Sequence, residues 1–503
     1  MICVTLGRGR HSALLAEWKA AAEAGTELVE LRIDCLRREP SLKRLLAERF
    51  TPIIFTVRRG ADGGLWRGDE EKRLRLLREA IVAGVDYVDL EADIAKEIRR
   101  YGPTKRIISV HDFKKTPEKL DDLGKEMREH DPDVVKVATL ARSPSDAVRM
   151  LEFVARAPTS TVGIAMGEMG FFTRVLGAKY GAPFTYSGFN PDRTFAPGMP
   201  RFLDLNNDYF HDQIDAQTEV YGVIGDPIGH SLSPAIHNAA FRHLGLNKVL
   251  LPFHIPNGRL KESLDALSWI GLKGFSVTIP HKEAIVPLLT RIDKSVDRTG
   301  ACNTVVVEPD GKTRVGHNTD YRAAMESLEE AMGGAGPDDA SPLLNKQALI
   351  LGAGGVARSF AFGLARRGAA VSICSRTEEN ANRLAEAVGC RSLSWSMRAT
   401  NRVDVLVNCT PVGMHPEVDE TPMPPAGFRP GTIVFDTVYH PENTMFLKLA
   451  RERECHTITG VDMFVRQAAL QFEYYTGQTA PVDLMREVVR RKLSPLREDS
   501  SGV

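Results

Sequence analysis

From the N-terminus to about residue 215, short runs rich in β-branched and aromatic residues recur roughly every 20 to 30 residues. They fall at 2–6, 28–33, 52–57, 87–90, 106–110, 134–138, 161–165 and 184–186, with helix-like stretches such as 12–24, 70–83 and 143–155 between most of them. Eight strands separated by helical segments are what a closed (β/α)8 barrel requires. An open doubly wound sheet is the alternative. It would place a Gly-rich phosphate loop after its first strand, and none follows residue 6.

A barrel makes a further demand, that polar chemistry collect at the C-terminal ends of its strands. Glu30 and Arg32 lie in the second run, Arg58 ends the third and Glu91 ends the fourth. His111 follows the fifth run, and Lys136 sits inside the sixth, Val134-Val135-Lys136-Val137-Ala138. Strand alternation puts Lys136 on one face with Val134 and Ala138, which makes the barrel interior its expected destination. Desolvation there disfavours the ammonium and yields an amine able to attack a carbonyl. A lysine reaching out from a strand end is the plainer alternative. His111 tips the balance, because forming an imine and then removing an adjacent proton needs an amine and a proton shuttle. Glu91, one strand earlier, is the expected orienter of that imidazole, and Arg58 and Arg174 are candidates for gripping a carboxylate.

The rhythm changes near Thr218, after a loop-rich passage that includes Ala196-Pro197-Gly198. A second linker, residues 333–342, precedes Ala348-Leu349-Ile350-Leu351-Gly352-Ala353-Gly354-Gly355-Val356-Ala357, an apolar strand entering a Gly-rich turn and a helix. That context makes it a dinucleotide signal, with backbone amides near the pyrophosphate and a helix N-terminus favouring its charge. About twenty residues on, Ser375-Arg376-Thr377 replaces the acidic residue expected for a ribose 2′-hydroxyl. A guanidinium and hydroxyls suit a 2′-phosphate, so NADP is the expected cofactor. Runs at 403–409 and 432–435 supply later strands of the same sheet.

A length of 503 residues predicts about three domains, and 43% hydrophobic residues suffice for sizeable cores. Lys+Arg and Asp+Glu both total 65, a balance that argues against nucleic acid or an anionic membrane as main partner. No apolar run approaches bilayer length. The seven cysteines are scattered and never spaced C-x-x-C, which suits reduced thiols in a cytoplasm and no metal site. A homo-oligomer is left open.

Glu30-Leu31-Arg32-Ile33-Asp34, Ser109-Val110-His111-Asp112-Phe113, Val135-Lys136-Val137-Ala138 and Phe172-Thr173-Arg174 resemble type I 3-dehydroquinate dehydratase in order and spacing, over almost the whole barrel. The resemblance implies that Lys136 forms a Schiff base with the ketone of 3-dehydroquinate and that His111 is the general acid/base, with Glu91 beside it. Glu30, Arg32, Arg58 and Arg174 would then hold the hydroxyls and carboxylate, and the product would be 3-dehydroshikimate. One segment departs. The family's substrate-covering loop usually reads Ser/Thr-Ala-Pro-Gly-Gln, whereas this chain has Phe195-Ala196-Pro197-Gly198-Met199. Weaker closure is expected, with Thr194 as the neighbouring hydroxyl.

In the second half, Ser231-Leu232-Ser233-Pro234, Thr278-Ile279-Pro280-His281-Lys282, Cys302-Asn303-Thr304 and Asn318-Thr319-Asp320 are each consistent with turn chemistry. Together they resemble shikimate dehydrogenase across residues 218–490. The resemblance implies Lys282 and Asp320 as the catalytic pair, and Ser231, Ser233, Thr278, Asn303, Tyr439 and Gln467 around shikimate. Gly460 and Met463 would lie near the nicotinamide with Asn408 and Thr410. The expected organisation is a barrel at 1–215, a substrate domain at 218–335 completed by 456–490, and a Rossmann NADP domain at 340–455. The predicted product of the first half is the predicted substrate of the second, so the leading reading is a bifunctional enzyme. The alternatives are a shikimate-pathway sensor without turnover and an NAD-dependent quinate dehydrogenase.

Overall fold

The computed structural model describes residues 1–334 and 341–494. Residues 335–340 of the expected linker, on which two of the expected domain limits fall, lie outside the described residues.

All eight N-terminal runs form strands: β1 (Ile2–Leu6), β2 (Leu28–Arg32), β3 (Ile53–Thr56), β4 (Tyr87–Glu91), β5 (Lys105–Asp112), β6 (Val134–Leu140), β7 (Thr161–Met166) and β8 (Thr185–Gly188). They pair in parallel in the order β7-β6-β5-β4-β3-β2-β1-β8, the ladder of a near-closed (β/α)8 barrel. Alternation divides each strand between two surfaces. Cys3, Leu28, Ile54, Ile107, Val134, Ala138 and Ile164 make one inner cluster, while their neighbours meet the helices outside. Helices start where the sequence supplies caps. Asp69 accepts from the Lys72 N–H ahead of Glu70–Val82, and Ser143 accepts from the Asp146 N–H ahead of Pro144–Arg156. Each such cap contributes about 1 kcal/mol. The second helix lies so close to β7 that a Cβ at Gly163 would stand 2.5 Å from Val154 Cγ2. Any side chain there would push the helix off its sheet.

The chain resolves into two compact units, Met1–Pro234 with Gly245–Leu272, and Ala235–Leu244 with Lys273–Val503. Beyond the barrel, the first unit contains the parallel pair β9 (Glu219–Gly225) and β10 (Lys248–His254). The second unit contains β11 (Gly274–Val277), β12 (Arg291–Ile292), β13 (Thr304–Val307) and β14 (Arg314–His317), in which β13 is antiparallel to both β11 and β14. It also contains an all-parallel sheet of β15 (Gln347–Leu351), β16 (Ala370–Cys374), β17 (Arg391–Leu393), β18 (Val405–Asn408), β19 (Ile433–Asp436) and β20 (His456–Ile458). Its order, β17-β16-β15-β18-β19-β20, reverses at β15, the switch point at which dinucleotides bind in Rossmann sheets.

Candidate active sites

In the barrel, β6 pairs Lys136 with Ser109 of β5 and with Val162 of β7. The lysine is buried, but its company is not apolar. Nζ stands 3.0 Å from Asp89 Oδ2, 3.6 Å from Glu30 Oε1 and 4.0 Å from the centre of the Tyr186 ring. Asp89 also takes Arg58 at 2.7 Å and the Ser109 hydroxyl at 2.6 Å. Burial alone would raise the Asp89 carboxyl, but Arg58 and Lys136 outweigh it and hold the group well below the carboxylate range. Glu30 accepts from the Thr5 and Thr56 hydroxyls at 2.8 and 2.9 Å. The sequence reading missed Asp89. The available signal was period two in Tyr87-Val88-Asp89-Leu90-Glu91, which sends Asp89 and Glu91 to one face.

Glu91 requires a correction. It does not orient His111, because its two oxygens are taken by Arg58 at 2.9 Å and the wholly buried Arg73 at 2.8 Å. Among the described residues, His111 Nδ1 has no hydrogen-bond partner. Burial, with Arg58 and Lys136 adding to it, pushes the imidazole well below its usual range, so it is neutral at physiological pH.

The three arginines differ in charge balance. Arg32 is held by both oxygens of Asp34, at 2.9 and 2.8 Å, and Arg58 is matched by Asp89 and Glu91. Arg174 is wholly buried, donates from Nη1 to the Tyr186 carbonyl at 2.9 Å and leaves Nε unpaired. Among the described residues it has no ion pair, and burial lowers its guanidinium to about 10. A buried, uncompensated cation of this kind calls for an anion from outside.

Lys136, Glu30, Tyr186 and the three arginines line a cavity of about 50 Å³, together with His111, Phe195, Ala196 and Met199. The departing loop is seated by packing. Phe195 lies 5.3 Å from the Arg32 guanidinium, and the Gly167 N–H donates to the Pro197 carbonyl at 3.0 Å. Thr194 is exposed.

In the second unit, Lys282 follows β11 in the short helix His281–Ala284, and its Nζ meets Asp320 Oδ2 at 2.6 Å. Asp320 lies in the first turn of Thr319–Ala331, a helix capped by the Asn318 side chain. Asn303 is buried and spends its amide on that same helix start. Its Nδ2 donates to Thr319 Oγ1 at 2.9 Å, and its Oδ1 accepts from the Thr319 N–H at 2.8 Å. Thr278 is half-buried beside this pair in sequence, and Gln467 donates to the Phe464 carbonyl at 3.0 Å. Tyr439 stacks on Phe464 with ring centres 4.7 Å apart. In the first unit, the Ser233 N–H donates to Ser231 Oγ at 3.3 Å. Gln471, not singled out in the sequence, is buried among Ser276, Thr304 and the Asn303 carbonyl, tying Gly460–Thr476 to β11 and β13.

The turn after β15 fits a dinucleotide. Gly352 has φ +107°, and a Cβ there would meet the Cys409 carbonyl at 2.9 Å. Ala353 and Val356 are half-buried and Ala357 is buried. Helix Gly355–Arg366 begins at Gly354 without a side-chain cap, so its first N–H groups await an acceptor. After β16 come half-buried Ser375 and exposed Arg376 and Thr377. Asn408 holds its turn by accepting from Thr410 N and Oγ1, at 2.9 and 2.7 Å, while donating to Asp436 at 2.9 Å. Burial pushes the Asp436 carboxyl up to about 6. Gly460 and Met463 are buried at the start of Gly460–Thr476.

A parallel barrel built around a lysine, followed by a Rossmann-type sheet and a Lys–Asp pair, defines a class: an α/β enzyme that joins a (β/α)8 barrel to a dinucleotide-binding sheet. The comparisons make the class particular. The type I 3-dehydroquinase profile matches residues 2–216, and the shikimate dehydrogenase substrate binding domain matches 223–305. The shikimate 5′-dehydrogenase C-terminal domain matches 460–490, and an F420-dependent NADP oxidoreductase profile matches 347–438. A bifunctional 3-dehydroquinate dehydratase/shikimate dehydrogenase of Arabidopsis thaliana, described as chloroplastic, is 36% identical over 98% of this chain and 84% of that protein. An NADP(+) shikimate dehydrogenase of Moorella thermoacetica is 42% identical over 56% of this chain and 96% of its own. A shikimate dehydrogenase crystallised with NADP+ superposes with TM-score 0.52 at 36% identity, over 56% of this chain and 98% of that one. The chain belongs to the bifunctional 3-dehydroquinate dehydratase/shikimate dehydrogenase family.

Proposed function

We propose that Lys136 and His111 dehydrate 3-dehydroquinate, and that Lys282 and Asp320 reduce the resulting 3-dehydroshikimate to shikimate. The chain is a bifunctional shikimate-pathway enzyme, lyase and oxidoreductase at once; neither a sensor without turnover nor a quinate dehydrogenase is favoured. The observation that carries the residue assignment is the pairing, in one cavity, of the buried Lys136 with Arg174, which has no ion pair among the described residues. A carboxylate on Arg174 neutralises that charge and fixes the ring. Lys136 gives up its proton, attacks the ketone carbon, and expels water as the imine forms. The protonated imine draws electrons from the adjacent carbon while neutral His111 removes that carbon's proton. The β-hydroxyl then leaves as water with a proton returned by His111, and hydrolysis frees Lys136 and 3-dehydroshikimate. Asp89 and Glu30 hold the amine in place between turnovers.

In the second centre, Lys282 protonates the carbonyl oxygen as it becomes an alkoxide, and Asp320 orients the ammonium. NADPH supplies the hydride when bound. The uncapped helix start at Gly354–Val356 would hold its pyrophosphate, Ser375, Arg376 and Thr377 its 2′-phosphate, and Asn408, Thr410, Gly460 and Met463 its nicotinamide end. Ser231, Ser233, Thr278, Asn303, Tyr439 and Gln467 would surround shikimate. We read the domains as 1–215, 218–335 completed by 456–490, and 340–455, and the location as cytoplasmic from seven free cysteines. Among the described residues, no helix is long and apolar enough to cross a membrane.

Cofactor oxidation tests the reading. Wild type should consume NADPH from dehydroquinate, while Lys136→Ala should do so only from dehydroshikimate. A wild type silent with both substrates would sink it.

A further inference from the structure

Beside the barrel mouth, between the loops that follow β2 and β3, lies a second cavity of about 720 Å³, against about 50 Å³ for the one holding Lys136. Its walls carry six cations (Arg37, Arg38, Arg67, Lys72, Arg75 and Arg193) and three carboxylates (Asp34, Glu39 and Glu79). Asp34 is already spent on Arg32 and on two backbone amides. Lys72 pairs with Asp69, and Arg75 with Glu79. Among the described residues, Arg37, Arg38 and Arg67 have no carboxylate partner.

The walls are held in place. The Arg37 N–H donates to the Gly9 carbonyl at 3.0 Å, and the Arg37 side chain lies so close to Gly9 that a Cβ there would stand 3.0 Å from its Nε. Trp66 is fixed from both ends, its backbone N–H on the Arg58 carbonyl and its indole N–H on the Asp69 carbonyl, each at 3.2 Å. Arg193 donates to the Gly7 carbonyl at 2.7 Å. Arg37, Arg38 and Arg67 are exposed on these walls, and guanidiniums without carboxylate partners around a cavity of small-molecule size are a receptor for phosphate or carboxylate groups.

We propose that this basin is a regulatory site for a small polyanion, distinct from the cavity around Lys136. The coupling runs through Asp34, which stands in the wall between them. Its Oδ1 accepts from Arg32 Nε at 2.9 Å and the Arg58 N–H at 3.2 Å; its Oδ2 accepts from Arg32 Nη2 at 2.8 Å and the Leu65 N–H at 2.9 Å. Leu65 and Cys35 line the basin, while Arg32 and Arg58 line the Lys136 cavity and Arg32 faces the Phe195 ring. An occupant that draws in Arg37 and Arg67 therefore moves the loops from which Asp34 holds Arg32. The expected readout is a change in KM for dehydroquinate larger than the change in kcat.

The test uses the full chain, saturated with NADP+ so that the turn after β15 is occupied, and inorganic pyrophosphate at constant ionic strength. Calorimetry should show saturable binding, and the dehydratase KM should shift about threefold or more. Arg37→Ala/Arg67→Ala should weaken binding about a hundredfold, roughly tenfold per guanidinium, while basal kcat/KM stays within about twofold. Arg376→Ala should leave this binding unchanged. The proposal is overturned by no saturable binding, by binding that survives the double variant, or by binding that Arg376→Ala abolishes. It is equally overturned if chloride at matched ionic strength shifts KM as much. Because calorimetry reads binding without turnover, failure here leaves the two-reaction assignment standing.

Discussion

Both centres set a lysine against an aspartate, yet they are built differently. Lys136 and Asp89 meet at 3.0 Å with side chains 6% and 0% exposed, inside a ring of strands that also supplies Glu30, Arg58 and Tyr186. Lys282 and Asp320 meet at 2.6 Å on two helix starts, with side chains 16% and 11% exposed. The proposed chemistry accounts for the contrast. An amine that must become a nucleophile needs a site whose walls are all protein, so that water and protons are managed by fixed groups. A lysine that only donates a proton needs less enclosure, because in a dehydrogenase the bound cofactor and substrate complete the walls.

If the contrast holds, each half should fail separately, and the largest effect belongs to the barrel. Lys136→Ala should cost dehydration roughly a thousandfold or more while leaving dehydroshikimate reduction unchanged. Borohydride with dehydroquinate should leave a mass adduct on wild type and none on the variant. An adduct elsewhere would break the comparison at its root.

The arginines sharpen it next. Arg174→Leu removes a charge that nothing among the described residues neutralises, so the melting temperature should hold while KM for dehydroquinate rises by roughly a hundredfold, about 2–4 kcal/mol. Arg58→Leu strands Asp89 and Glu91 together and should destabilise the fold by about 3–5 kcal/mol. Equal melting curves for the two variants would show that the charge balance has been misread.

In the second centre, Asp320→Asn should lower the reduction kcat about ten- to a hundredfold and leave dehydration untouched. A matching fall in dehydration would mean that the centres are not separate.

The smallest effect is one of pH. Burial depresses the His111 imidazole below its unfolded value near 6.5. For a histidine shifted this way, the folded state resists protonation that the unfolded state accepts. Its contribution to stability is therefore full above pH 6.5 and is lost as pH falls from there toward the depressed value. The acid limb of dehydratase kcat/KM should likewise sit below pH 6.5. A limb at or above 6.5 would remove His111 from the role of neutral base.

The eight barrel strands were legible because each alternates or is continuously apolar over four to eight residues, and only their ends moved, by one or two positions. Lys136 was legible as a charge inside an apolar run. Its carboxylate partner was not. Asp89 and Glu91 share a face of β4, and alternation cannot say which of them reaches Lys136 and which turns to Arg73, a helix residue wholly buried against expectation for arginine. The same limit hid Asp436 and Gln471, ordinary polar residues in their local sequence. Asp436 meets Asn408 from 28 residues away, and Gln471 meets Thr304 from more than 160.

The order of letters alone determined the class of each half and the order of the two halves along the chain, because periodicity and turn chemistry are local. Tertiary structure alone decided the charge accounting. It showed which arginine lacks an anion among the described residues, that Glu91 serves two guanidiniums and not His111, and that Phe195 of the departing loop lies against Arg32. Pairing in a folded protein depends on distance through space and on burial, and neither is written in the spacing of residues along the chain.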